Sequence, residues 1–241
     1  MQHIPDFNRP WHIVTAIAVI VIARLIVSRV AGIGRFRASV VEIHDSLLMA
    51  VLLVFCLLRP FVLQTFYIPS DSMVPTLVQQ DRIIALRCWY FFTDPKPGDI
   101  VVFRAPTSAY YSNPRANPNL NEQKDFIKRI VGAPGDRIRI DRAPDGTLAM
   151  FRNGELLDEL YVREPTHYWV WPDGPGRDIV VPPNQQVMMG DNRNHSNDSK
   201  KWLYHTEGGQ ETVNAPFVDR HRLMGKAVCI FWPPSRIRIL H

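Results

Sequence analysis

A chain of 241 residues holds one or two ordinary domains with a sizeable core. A hydrophobic share of 46% excludes both a disordered chain and a polytopic transporter. The net charge of +5 carries no Lys/Arg block dense enough to mark a nucleic-acid partner, and none is expected. The 20 prolines favour many short strands and turns over long soluble helices. Of the three cysteines, Cys56 lies in an apolar run and reads as a small buried hydrophobe. Cys88 and Cys229 fall in strand-like stretches, and their spacing leaves a bridge open. No Cys/His spacing suggests zinc, and no metal or other cofactor is expected.

In chain order, two apolar segments come first, at about residues 11–30 and 46–66. Each reaches the roughly 20 residues of a membrane span only by including an arginine near its end, where snorkelling is tolerated. A cleavable leader is disfavoured, because the basic residues follow the first apolar run instead of preceding it. Arg24, Arg29, Arg35 and Arg37 crowd the connector, so the positive-inside rule keeps that connector in the cytoplasm. Residues 1–66 are therefore expected to be an anchor of two transmembrane helices, with residues 67–241 outside the membrane.

The stretch YIPSDSMVPTL, Tyr67–Leu77, follows directly, with two hydroxyls framed by two prolines. From Asp81 onward short β-branched runs bounded by Pro or Gly read as strands: Asp81–Tyr90, Asp99–Arg104, Phe126–Val131, Arg137–Asp141, Gln186–Met189 and Lys226–Phe231. Asn153-Gly154, between apolar positions of Met150–Leu157, signals a hairpin. Ala105–Gln123 and Thr166–Arg177 read as long surface loops. The expected fold is mostly β, a partly closed antiparallel barrel or sandwich.

A serine hydroxyl needs an activating base to attack a carbonyl. His195 with Asp198, in GDNRNHSNDSK, could complete a Ser-His-Asp set around Ser72. The alternative is Lys128, which shares a strand face with Phe126 and Ile130. Bringing a lysine from about 10.4 to neutrality costs about 4.6 kcal/mol, and full burial lowers a lysine pKa by about 3–5. A third reading is a membrane-anchored binding or assembly module with no catalysis.

IPSDSMVPTL, KPGDIVVF, FIKRIVGAPGDRI and MMGDNRNHSNDSK follow one another in that order. Together they resemble the motifs of the bacterial type I signal peptidases, or leader peptidases. The resemblance implies a membrane-bound serine endopeptidase that cleaves signal peptides from exported preproteins after small, A-x-A-like residues. It implies Ser72 as nucleophile, Lys128 as general base, Ser70 as an oxyanion donor and Ser196 as the serine that orients the lysine. Arg129, Asp191, Asp198 and Lys200 match supporting charged positions. Ile68, Met73, Leu77, Phe126 and Ile127 match the lining of the substrate pockets.

The family further implies a multi-pass protein of the bacterial inner membrane whose catalytic domain faces the periplasm. Its partners would be preproteins, the lipid bilayer and the export translocon. The chain departs from the family where Lys200-Lys201 replaces an arginine, since lysine lacks the planar fork that pairs with a carboxylate. It departs again from Leu203 to His221. Gly98, Gly132, Gly135 and Gly190 are expected to permit turns.

Overall fold

The computed structural model describes residues 15, 18–19, 21–22, 25–26, 34–54, 62–106, 109, 124–167, 176, 178–202, 205–207, 210–212 and 216–240. The chain divides into two compact units, Met1–Leu63 and Gln64–His241.

In the first unit a helix runs from Gly34 to Leu52. Most of the first expected span and residues 55–61 of the second lie outside the described residues. Among the described residues no helix is long and apolar enough to cross a membrane. The helix Gly34–Leu52 misses that standard because it holds Arg35, Arg37, Glu42 and Asp45. The expected second span must also be shortened at its far end. Leu63–Tyr67 is a strand, β1, with alternating exposure, so the last residues of that apolar run are extended and not helical.

The second unit is mostly β. After β1 come β2 (Arg82–Leu86), β3 (Ile100–Arg104), β4 (Asp125–Gly132), β5 (Arg137–Arg142), β6 (Leu148–Arg152) and β7 (Glu155–Leu156). They are followed by β8 (Ile179–Val180), β9 (Gln185–Met189), β10 (His205–Glu207), β11 (Gln210–Thr212), β12 (Phe217–Asp219), β13 (Leu223–Trp232) and β14 (Arg238–Ile239). An eight-stranded sheet runs β1-β2-β13-β3-β4-β9-β12, with β14 also on β13. It is the curled antiparallel half-barrel. Register shifts in β13 and between β4 and β9 mark bulges, which raise local twist and bend a sheet. A four-stranded sheet runs β7-β6-β5-β8, and β10 with β11 makes a separate hairpin.

β2, β3, β4, β5, β9 and β13 fall on the β-branched runs of the sequence, and one run departs from its expected form. Trp89–Phe92 is a one-turn helix where extension of β2 to Tyr90 was expected. Arg220 donates to the carbonyls of Tyr90 and Thr93 and pairs with Asp94, which stabilises the helix end. Cys88 and Cys229 are both free thiols. Cys229 stands opposite Ile84, whereas Cys88 lies past the end of β2, so the two do not face each other.

Three apolar clusters fill the unit. Ile68, Met73, Leu77, Ile83, Ile100 and Ile230 belong to the first. Val101, Phe103, Ile130, Met188 and Trp202 belong to the second. Val131, Ile138, Met150, Val187 and Met189 join the two larger sheets in the third. β4 takes part in all three, which explains why its side chains from Lys128 onward are buried.

The segment between β1 and β2 is tied at its base. The backbone N–H of Ile68 donates to Asp81, and that of Gln80 donates to Ile68. Asp81, wholly buried, also receives two bonds from Arg236 at 2.8 and 3.0 Å. Arg238 donates to the carbonyl of Thr76. The C-terminal residues thus clasp the loop that carries Ser70 and Ser72.

Candidate active site

Ser72 sits in a tight turn of that loop, where the Val74 N–H donates to the Asp71 carbonyl. Asn192 holds the same turn from outside. Its backbone N–H donates to the Ser72 carbonyl at 3.1 Å, and its side-chain Nδ2 donates to the Asp71 carbonyl at 3.0 Å.

β4 brings Lys128 against this turn. β4 pairs with β3 in unbroken register from Asp125 to Arg129, so alternation sends Lys128 to one face and Arg129 to the other. Lys128 Nζ lies 2.8 Å from Ser72 Oγ, and it donates to the Ile127 carbonyl, also at 2.8 Å. Its ammonium position is 5.5 Å from the centre of the Phe126 ring. Burial disfavours the charged amine and lowers its pKa from 10.5 to about 8, while Asp198 and Asp191 oppose the fall. Those two carboxylates explain why the value stops short of the neutrality that burial alone would reach.

Arg129, one residue on, forms a two-point ion pair with the wholly buried Asp191, at 3.0 and 2.9 Å. It also donates to the Gly98 carbonyl at 2.8 Å, presented by a glycine with φ of +98°. Thr76 donates to the same Asp191 carboxylate at 2.5 Å, which ties the serine loop to the β9 end. Asp198 accepts from the backbone N–H of Gly190 at 3.0 Å and of Lys200 at 3.3 Å. Burial lowers the Lys200 amine pKa, and the Asp198 charge resists that change.

The remaining candidates divide. Ser70 Oγ lies 3.4 Å from Ser72 Oγ at the exposed rim of the turn. Ser196 is wholly buried, with no hydrogen-bond partner for its hydroxyl among the described residues, and the lysine amine donates to the Ile127 carbonyl. Ile68, Met73 and Leu77 are fully enclosed in the first apolar cluster. Phe126 and Ile127 are half-buried and next to Lys128 in the chain. His195 is exposed, and the hydroxyl of Ser72 meets the lysine. Among the described residues no group of His, Cys, Asp and Glu could hold a metal.

Gly190 corrects one expectation. Its role is space and not a turn: an added Cβ would collide with the Ser196 hydroxyl and with the Ser72 carbonyl. Thr76 and Asn192 were missed by sequence reasoning. Asn192 stands inside the GDN of the last motif, where its position beside Asp191 was the available signal.

A profile of the signal peptidase family, peptidase S26, matches residues 40–232. The chain is 37% identical over 199 residues to “Probable signal peptidase I-2” of Synechocystis sp., covering 83% of this chain and 76% of that protein. It is 38% identical over 180 residues to a signal peptidase I of Leptolyngbya laminosa, covering 75% and 74%. A signal peptidase I of Pseudomonas aeruginosa is 32% identical over 239 residues, covering 79% and 76%. With four motifs in order, a serine and a buried lysine in contact, and similarity of this extent, the chain belongs to the peptidase S26 family of signal peptidases.

Proposed function

We infer that this signal peptidase I cuts the signal peptides of exported preproteins by a Ser72–Lys128 dyad. The observation that carries the reading is the 2.8 Å approach of Lys128 Nζ to Ser72 Oγ, with the amine buried and its pKa lowered to about 8. A neutral amine has one lone pair and two N–H groups. With one N–H given to the Ile127 carbonyl, the lone pair is free to take the proton of the hydroxyl.

Ser72 Oγ attacks the scissile carbonyl as Lys128 removes its proton. The tetrahedral oxyanion is held by the Ser72 backbone N–H and the Ser70 hydroxyl, each donor of this kind being worth about 2.7–4 kcal/mol. Lys128 then gives its proton to the leaving amine, and the C–N bond breaks to leave an ester on Ser72. Water, deprotonated by the same amine, hydrolyses that ester and restores the enzyme. Arg129, Asp191, Asp198 and Lys200 set the charge around the dyad, and Ser196 would supply the hydroxyl that orients the lysine amine. The half-buried Phe126 and Ile127 offer the surface for small residues before the cut, backed by Ile68, Met73 and Leu77.

The substrate is itself a membrane segment, with an apolar core ending at an A-x-A-like site. Two spans, at about 11–30 and from about 46 to the residues before strand β1, would anchor the enzyme in the inner membrane, with the catalytic unit on the periplasmic side near the translocon. The exposed apolar side chains of the first unit support this reading: Ile22, Ile26, Ile43, Leu47 and Met49 are each more than half exposed. Such a surface is costly in water and at home in lipid. Detergent-purified protein incubated with a preprotein tests the chemistry. Lys128→Ala should abolish cleavage and His195→Ala should retain it; the reverse result overturns the dyad.

A further inference from the structure

Beyond the smaller sheet, one aromatic side chain meets the residue that follows Lys128 on β4. Tyr161, in the segment after β7, lays its ring 4.0 Å from the guanidinium carbon of Arg129. The edge of that guanidinium is already committed, to both oxygens of Asp191 and to the Gly98 carbonyl. Its flat face is what the ring covers.

The ring is fixed in turn. The Tyr161 hydroxyl donates to Glu159 Oε1 at 2.7 Å, and burial together with the Glu159 charge pushes the phenol pKa well above its ordinary range. Glu159 receives Arg193 through two bonds, at 2.5 and 2.8 Å. Arg193 Nε donates to the carbonyl of Gly190 at 3.0 Å, the residue before Asp191. The contacts close on themselves, from Tyr161 through Glu159, Arg193, Gly190, Asp191 and Arg129 back to Tyr161.

We propose that Tyr161 is a positioning residue for the reaction: its ring face holds the Arg129 guanidinium against Asp191 and thereby fixes the charge presented to Lys128. The inference rests on Lys128 being the base. The charged groups facing that amine are Asp191 and Asp198, with Arg129 on its own strand. Arg193 and Lys200 face Asp198 from the last motif. A guanidinium less firmly held leaves more of the Asp191 charge uncompensated, which favours the protonated lysine.

The test is the pH profile of preprotein cleavage by the full-length enzyme with phenylalanine and increasingly fluorinated phenylalanines at position 161. These rings keep their shape while their faces lose attraction for a cation. Tyr161→Phe keeps the ring face without the Glu159 bond and sets the baseline for the series. Fluorination should move the acidic limb of kcat/KM upward in steps, reaching about half a pH unit for the fully fluorinated ring. Tyr161→Leu should move it the same way with KM nearly unchanged. A limb that stays fixed across the fluorine series, whether or not thermal stability falls, overturns the proposal. If Lys128→Ala still cleaves, the dyad reading itself has failed; if it is inactive and the limb does not move, only the role of Tyr161 has.

Discussion

Lys128 gives one N–H to the carbonyl of Ile127, the residue before it, while its amine stands 2.8 Å from Ser72 Oγ. A lysine side chain usually spends its length reaching water. Here it is turned back on its own strand and held by that strand's backbone. The orientation of the amine is therefore set in part by β4 itself.

The first prediction concerns pH. In the proposed dyad Lys128 must be neutral to accept a proton, and burial lowers its pKa to about 8. Below that value kcat/KM should fall about tenfold per pH unit, and it should level off above it. The same profile from His195→Ala would show that no histidine governs the limb. A midpoint near 6.5 that disappears with His195 would contradict the dyad.

A second prediction is that the base costs stability at neutral pH. Its folded pKa lies below the unfolded one, so between pH 8 and 10.5 the unfolded chain binds more protons and stability rises with pH. Below that window the cost is fully present, on the order of 3 kcal/mol for so deeply buried an amine. Lys128→Met should be inactive, yet it should melt several degrees higher than wild type at pH 7. The gain should shrink as pH climbs past 8, as thermal melts across pH will report.

Asp191→Asn should act in two ways. Arg129 loses its charged partner in a closed site, and breaking such a pair costs about 3–5 kcal/mol. The carboxylate that raises the proton affinity of Lys128 is also gone. Denaturant midpoints should fall, and the acidic limb of the remaining activity should move to lower pH. A limb moving to higher pH would contradict the charge assignment.

Gly190→Ala should strike the nucleophile without touching any charge. The added methyl meets the Ser72 carbonyl, and backbone cannot yield as a flexible side chain would. Overpacking of this kind costs about 1–3 kcal/mol. Displacement of the nucleophile by even 1 Å lowers kcat on the order of 100-fold. Steady-state kinetics should find the loss in kcat.

What the sequence made legible was local. Period-two runs with Pro and Gly boundaries marked β2, β3, β4, β5, β9 and β13, and Asn153-Gly154 marked the β6–β7 hairpin. β1 was hidden because Leu63–Tyr67 continues an apolar run whose composition also suits a helix. The turn at Trp89–Phe92 was hidden because four aromatic residues favour strand until Arg220, far along the chain, holds their carbonyls. In the site, Ser72 and Lys128 were readable from motif and alternation. Thr76 and Tyr161 were not: Thr76 bonds a residue 115 positions away, and such pairings leave no local pattern. Met73 and Leu77, close to Ser72 in the chain, are enclosed in the first apolar cluster, a burial that their spacing alone did not show.

The unbroken register of β4 through Arg129 has a consequence for how this enzyme can vary. Base and charge scaffold are consecutive in the chain yet serve opposite faces, so one inserted or deleted residue upstream would exchange them, aiming a guanidinium at the serine. The strand's irregularity falls between Ile130 and Gly132, beyond both. A length change before that point would therefore reverse the two faces.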